Sequence, residues 1–360
     1  MSFGISVYPE HATLDQNAAY VRRAGEHGFK RVFSCLLSVE KDRDSIVEEF
    51  RALNDCIHEA GMEVILDVAP NVFERLDITY DDLSFFAEVH ADGIRLDEPF
   101  RGSDIAKMTR NPQGLKIELN ASTADGVLAS TLANGANRAN LLACHNFYPQ
   151  RYSGLDWAFF ERESLAVRKE NVRLAAFVSC GDVDAFGPWP LREGLPTLEC
   201  HRGLPIDLQA RHLLYSGLVD DIIISNCFPT DEELDALSAL NADKVMFRAP
   251  LEGDPCAVEQ EIFYDFPHQV RGDLSPYLMR STWSRVQYKD ASIPQRNARD
   301  LHRGDIVIVN ETDARYKGEL QIVLRDIPND GKRNVVASIP ESEKVLMGYL
   351  DSWSSFGFLR

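Results

Sequence analysis

The chain has no cysteine framework. Its seven cysteines are scattered over 360 residues, and none forms a C-x-x-C pair. That pattern excludes a disulfide-stapled scaffold and a zinc ribbon, and reads as thiols in a reducing cytoplasm. Long apolar runs are missing too: no stretch reaches the ~20 residues of a membrane helix, so no membrane partner is expected. The opening Met-Ser-Phe-Gly-Ile-Ser-Val-Tyr has neither a basic nor an apolar leader region, so no signal peptide is expected. Positive charge is scarce, with 38 Lys and Arg against 56 Asp and Glu, a net −18. Residues 246–360 hold 15 against 17, which leaves 23 against 39 in the first 245. Such acidity argues against nucleic acid and anionic membranes as partners. A small anionic substrate stays open, provided that an arginine, a lysine or helix amides meet it locally. No G-x-G-x-x-G follows the first apolar run and there is no P-loop, which weighs against a doubly wound nucleotide-binding sheet. No His, Asp and Glu set has metal spacing, so neither a metal nor a cofactor is expected.

What is present is an eightfold alternation. Short aliphatic or β-branched runs lie at 3–7, 31–35, 63–68, 93–97, 116–120, 140–145, 172–179 and 221–225. Such runs suit parallel strands buried on both faces. Helical patterns lie between them, as at 13–28, 44–61, 154–170 and 230–240. Thr230-Asp231-Glu232-Glu233 is a capping-box signature. This alternation predicts an α/β fold, an N-terminal (β/α)₈ TIM barrel over residues 1–242. Beyond it, at 243–360, short strand-like runs (244–248, 305–309, 319–324, 334–338) come with turn signals such as Asn329-Asp330-Gly331 and predict a small β domain. Trp283, Tyr288, Trp353 and Phe356 are expected mainly in its core, although they also suit a lid over the barrel or the interface of a homo-oligomer.

Barrel chemistry sits where strands end. The expected mouth holds Tyr8 and Glu10, Ser34 and Ser38, Asp67, Asp97-Glu98, Glu118 and Asn120. It also holds His145-Asn146-Phe147-Tyr148, the long loop bearing Asp182, Asp184, Trp189 and Glu199-Cys200-His201-Arg202, and Ser225-Asn226. Strand alternation puts Arg95 and Asp97 on one face and Glu98 on the other, so Asp97 is preferred, with Arg95 beside it. Carboxylates facing each other across a sugar ring are the minimal machinery of glycoside hydrolysis. Each residue also has a structural reading, as a cap, a salt-bridge partner or a satisfied core histidine. His11, His27, His58 and His90 are expected at the surface.

Several strings carry a family resemblance: Gly4-Ile5-Ser6-Val7-Tyr8, Ile94-Arg95-Leu96-Asp97, Leu119-Asn120-Ala121-Ser122-Thr123, His145-Asn146-Phe147-Tyr148-Pro149, and Gly194-Leu195-Pro196-Thr197-Leu198-Glu199-x-His201-Arg202. In that order, along nearly the whole chain, they resemble the DUF871 family, which includes bacterial 6-phospho-N-acetylmuramidases. The resemblance implies a cyclophilin-like β-barrel at the C-terminus. It also implies cytoplasmic hydrolysis of a 6-phosphorylated muramyl disaccharide, in cell-wall sugar recycling. Glu98-Pro99, Pro9-Glu10-His11 and Cys35-Leu36-Leu37 depart from the family pattern.

Together these readings give Asp97 and Glu199 as the expected catalytic pair, with Asp67 the next candidate. Tyr8, Asn120, His145, Asn146, Tyr148 and His201 are expected to contact the sugar, and Arg202 a phosphate or lactyl carboxylate. Two rivals stay open. A sugar-phosphate aldolase or isomerase needs a metal or a Schiff-base lysine, and Lys116 lies at the wrong end of its strand. The other rival is a non-catalytic sugar-phosphate-binding protein.

Overall fold

The computed structural model describes residues 1–37, 42–182, 184–190 and 192–360, which fall into two compact units, Met1–Leu240 and Asn241–Arg360. In the first unit eight parallel strands close into a barrel. They are β1 (Ser2–Val7), β2 (Arg31–Cys35), β3 (Glu63–Val68), β4 (Gly93–Leu96), β5 (Lys116–Asn120), β6 (Leu141–Cys144), β7 (Arg173–Val178) and β8 (Asp221–Ile224). Each pairs with the next, and β8 returns to β1 with Ile222 opposite Phe3. The strands match the aliphatic runs to within two residues, because residues buried on both faces leave an uninterrupted apolar signal.

Around them lie α1 (Leu14–Glu26), α2 (Arg43–Glu59), α3 (Pro70–Arg75), α4 (Ser84–Glu88), α5 (Gly102–Met108), α6 (Val127–Ala133), α7 (Trp157–Lys169), α8 (Ile206–Ser216) and α9 (Asp231–Ser238). Local chemistry sets their ends. Thr13 with Gln16, and Thr230 with Glu233, form capping boxes, while Asp42 and Asp156 cap α2 and α7. Each such cap is worth about 1 kcal/mol. Gly28 and Gly61 lie just beyond α1 and α2 at φ +84° and +74°, a region costly for any residue with a Cβ. Phe29, Phe50, Phe86 and Phe160 are fully buried in the core of this unit. Burying each contributes roughly 1.5–3 kcal/mol.

The barrel interior is layered. Low down, Arg31 pairs with Glu118 and with Asp221 (3.2 Å), and Arg173 reaches Asp221 at 2.7 Å. Higher up the rings of Phe33, Phe177 and Phe147 meet edge to face at 5.0–5.9 Å. Glu118, expected at the mouth, is fully buried in the lower ion cluster instead. Its register opposite Arg95 and Leu142 sets it two residues before the end of β5, and Arg31 compensates its charge there. Lys116, the one lysine among the barrel strands, binds Ala139 O and Asn140 at the start of β5. Among the described residues no helix is long and apolar enough to cross a membrane. His11, His58 and His90 are exposed, and half-buried His27 lies 3.1 Å from Asp235.

The second unit holds a three-stranded sheet, ordered β10-β15-β9, and a four-stranded sheet, ordered β11-β13-β12-β14. Its elements in chain order are β9 (Val245–Phe247), α10 (Ala257–Tyr264), β10 (His268–Gln269), β11 (Leu278–Ser281), α11 (Ser284–Gln287), β12 (Asp305–Val309), β13 (Leu320–Val323), β14 (Arg333–Ser338) and β15 (Ser355–Phe358). Fully buried Leu301, Val307, Val323 and Val335 pack together. Buried Glu259 ties α10 to the sheet through Asn334 (2.9 Å) and Arg296 (2.6 Å). Of the four aromatics expected in this core, Tyr288 and Phe356 are buried, while Trp283 and Trp353 are exposed.

Candidate active site

The site grows from the ends of β3 and β4. Asp67 is the penultimate residue of β3 and lies opposite Arg95 of β4. Asp97 follows β4 directly and, as alternation requires, shares a face with Arg95. The Arg95 side chain is buried. Its Nη1 donates to Asp67 Oδ1 at 2.6 Å and to Asp97 Oδ1 at 2.8 Å, and its Nη2 donates to Asn146 Oδ1. The side chain of Asp97 is 33% exposed and that of Asp67 only 6%. Burial pushes the Asp67 carboxyl up to about 7 against the pull of Arg95, and the neighbouring charge of Asp97 adds to the rise. Asn120 Nδ2 donates to the Asp97 carbonyl at 3.2 Å, and its Oδ1 accepts from the Ser122 amide at 2.9 Å. Asn146 is fixed from its backbone as well: its N–H donates to Ser122 Oγ at 2.8 Å and its carbonyl accepts from Thr197 at 2.8 Å. Half-buried Tyr148 has its phenol raised by burial, with Ser122 as side-chain partner. The structure thus gathers Asp67, Asp97, Asn120, Asn146 and Tyr148 around Arg95 and Ser122. Sequence reasoning placed Arg95 beside Asp97 but missed its links to Asp67 and Asn146. The available signal was an arginine on the inward face near a strand end.

Other expected residues have different work. Glu199 accepts four hydrogen bonds, from the amides of Tyr152 and Gly154 (both 2.8 Å) and from Arg202 Nε (2.7 Å) and Nη2 (2.8 Å). Arg202 and these amides hold its carboxyl down at about 2. A carboxylate so saturated is a poor proton donor at neutral pH, and its four bonds give Glu199, expected in the catalytic pair, a structural task. The remaining Arg202 N–H groups reach the carbonyls of Glu193, Gly194, Tyr148 and Gln150 at 2.9–3.1 Å. With every guanidinium nitrogen engaged, Arg202, expected to meet an anion, clamps the loops after β6 and β7. His201 is buried, its Nε2 2.8 Å from Nδ1 of His212 on α8. His145 is fully buried between Ser122 Oγ (3.2 Å) and Ser164 Oγ (3.0 Å), and burial lowers it to about 3. Tyr8 is buried and donates to the Ser225 carbonyl, tying β1 to β8. The structure thus places Tyr8, His145 and His201, all expected to contact the sugar, in internal bonds. Asn226 bonds both backbone groups of Cys180, at 2.8 and 3.2 Å. Ser38 lies outside the described residues.

Two cavities flank the barrel ends. One, of about 420 Å³, opens above β7 and β8, lined by Gly181, Arg192, Gly194, Gly203, Pro205 and Gln209. The N-terminus of α8 begins there, with no side-chain cap on Pro205. The other, of about 470 Å³, lies at the opposite end, beside Arg173 and Asp221. That end of a barrel carries stability, and the strand C-termini carry chemistry.

A closed parallel barrel with two acids sharing one arginine at its strand ends defines a TIM-barrel protein with a carboxylate-centred mouth. The chain belongs to the MupG family, whose models are described as 6-phospho-N-acetylmuramidase: residues 3–239 match the N-terminal model and 245–359 the C-terminal one. It is 43% identical to an uncharacterized B. cereus protein of known crystal structure, with a TM-score of 0.91 over 100% of this chain and 99% of that one. A conserved Enterococcus faecalis protein with an unknown function shares the fold at 23% identity, with a TM-score of 0.76 over 100% and 96% of the two chains. No curated protein matches the chain.

Proposed function

We propose that this protein hydrolyses the glycosidic bond of a 6-phosphorylated N-acetylmuramyl disaccharide in the cytoplasm, as a step in cell-wall sugar recycling. The observation that carries this reading is the pair Asp67 and Asp97 on one Arg95 nitrogen at the barrel mouth. Family membership supports the same reaction class. Asp97, the acid open to the mouth, meets the anomeric carbon. Asp67 holds a proton near neutral pH and is its partner. Arg95 supplies the countercharge and fixes their spacing. Because both acids accept from one nitrogen, their nearest oxygens lie no farther apart than those two bonds end to end. So close an approach favours a retaining pair, whose carboxyl groups stand roughly 5 Å apart, over an inverting one at roughly 6.5–9.5 Å. Asn146 and Tyr148 meet the sugar hydroxyls or acetamido group.

The phosphate takes the cavity above β7 and β8, lined by the start of α8 and by Arg192, which also lies 3.9 Å from Asp184; barrels commonly hold phosphate there. The second unit is read as a cyclophilin-like barrel. No nucleic acid or membrane partner enters this scheme.

The test is turnover of the phosphorylated and unphosphorylated disaccharides by the purified chain. Cleavage of the phosphorylated one is expected, with kcat reduced about 10³-fold in Asp97→Asn. Tight binding of the phosphorylated sugar without turnover would replace this reading with that of a binding protein.

A further inference from the structure

A second cluster shares no residue with the Arg95 centre. Cys200 and His201 lie on the short 3₁₀ turn before α8 (Glu199–His201), and His212 lies on α8 itself. One ligand atom from each, the Cys200 Sγ and a ring nitrogen of either histidine, lie within 4.8 Å of one another. We propose that Cys200, His201 and His212 form a binding site for one divalent transition-metal ion of the zinc class.

The argument begins with the donors. A thiol and two imidazoles are the soft and borderline ligands that select zinc or cobalt over magnesium and calcium, which demand oxygen. The two imidazoles already meet nitrogen to nitrogen at 2.8 Å. Only a proton fits between them at that distance. A metal with bonds of 2.0–2.1 Å in a tetrahedral set asks for a separation of about 3.3 Å, a shift of roughly half an ångström. His201 is 1% exposed, yet its Nδ1 has no hydrogen-bond partner. That nitrogen points away from His212, so Nε2 is the ligand atom and Nδ1 is left to an outer water. His212 is held by stacking on Trp157, centroids 4.4 Å apart and planes at 16°, which fixes its ring for ligation. Cys200 is exposed, so the third ligand approaches from the solvent side. Three protein ligands leave a fourth position for water. Spacing rules miss this set, because two ligands are adjacent and the third comes from the following helix.

The site adjoins Glu199 and Arg202, the clamp between the loops after β6 and β7. A bound ion would link the turn to α8 and stiffen that clamp without touching the mouth.

The test uses the full, reduced, metal-stripped chain titrated with Co²⁺. One ion per chain is expected, with the intense visible bands of four-coordinate cobalt and a thiolate-to-cobalt charge-transfer band. Cys200→Ser, an exposed substitution checked for folding by circular dichroism, should abolish the charge-transfer band and weaken binding at least about tenfold. His212→Asn should weaken it similarly, and Zn²⁺ should displace the cobalt. If the parent chain takes up no Co²⁺, or if Cys200→Ser binds with the same affinity and spectrum, the proposal is overturned.

Discussion

Replacing Asp67 with asparagine probes the Arg95 centre through stability alone. Asp67 and Asp97 accept from one guanidinium nitrogen at 2.6 and 2.8 Å, and the Asp67 side chain is 6% exposed. One positive charge facing two ionised carboxylates leaves a net negative charge withdrawn from water. The more buried acid therefore keeps a proton, and burial raises it to about 7. In the unfolded chain an aspartate titrates near ~3.9. Between those pH values the folded state holds a proton that the unfolded chain has already released. Stability from this group is thus fully present below about pH 4 and is lost as pH rises through 7. The slope reaches about 1.4 kcal/mol per pH unit, and the total is about 4 kcal/mol. Asparagine keeps an oxygen for Arg95 and cannot titrate. The assay is urea unfolding of both proteins from pH 4 to 8, followed by far-ultraviolet circular dichroism. Subtracting the variant from the parent cancels the other titrations. The difference should fall by several kcal/mol across this range and level off above pH 7. A flat or rising difference would refute the reasoning, because it would mean that Arg95 outweighs burial and Asp67 is ionised throughout.

The remaining predictions address the loops and the chemistry. Glu199→Gln should cost about 2 kcal/mol in unfolding free energy, since it strips Arg202 of its counterion, while kcat in the folded protein changes less than about tenfold; a loss as large as that of Asp97→Asn would restore Glu199 to the chemistry. Parent stability from Glu199 is present above about pH 4 and lost as pH falls toward 2, so acid unfolding should begin at higher pH in the parent than in a Glu199→Gln background corrected for its lower baseline. Arg192→Ala should raise KM for the phosphorylated substrate by about ten- to a hundredfold, the worth of one charged hydrogen bond, with binding of the unphosphorylated sugar unmoved; an equal effect on both would remove the phosphate from that cavity. Proton NMR during turnover should show the retained anomer first, and an inverted product would require a partner for Asp97 from another loop.

The barrel was legible because its strands announce themselves. Eight aliphatic runs, each ending at a polar residue, leave few other architectures, and helix caps such as Thr13 and Thr230 can be read three residues at a time. In the second unit β9, β12, β13 and β14 could be read from their β-branched runs. By contrast β10, β11 and β15 hold no β-branched residue at all. At the mouth, alternation correctly joined Arg95 to Asp97 because pleating is a local rule. Arg202 is the converse case. Its charge is visible in the sequence, but the six acceptors around it come from Tyr148, Gln150, Glu193, Gly194 and both oxygens of Glu199. Only the folded loops bring those groups to one place.

Depth along the barrel axis is the part that sequence does not carry, and it separates two otherwise similar clusters. Low in the barrel, Arg31 serves Glu118 and Asp221; near the top, Arg95 serves Asp67 and Asp97. Each is an arginine between two acids delivered by strands. The lower cluster gains a second cation, Arg173, 2.7 Å from Asp221 and 3.2 Å from Glu63, so it sets two arginines against three acids. The upper cluster has one cation for two acids, and one of those acids reaches the mouth. Burial chiefly raises Asp67 and the charge of Asp97 adds to the rise, while the exposure of Asp97 makes the pair available to a substrate. An added cation at the mouth should lower the Asp67 carboxyl and favour its ionised form, at the cost of the proton it would give to a substrate.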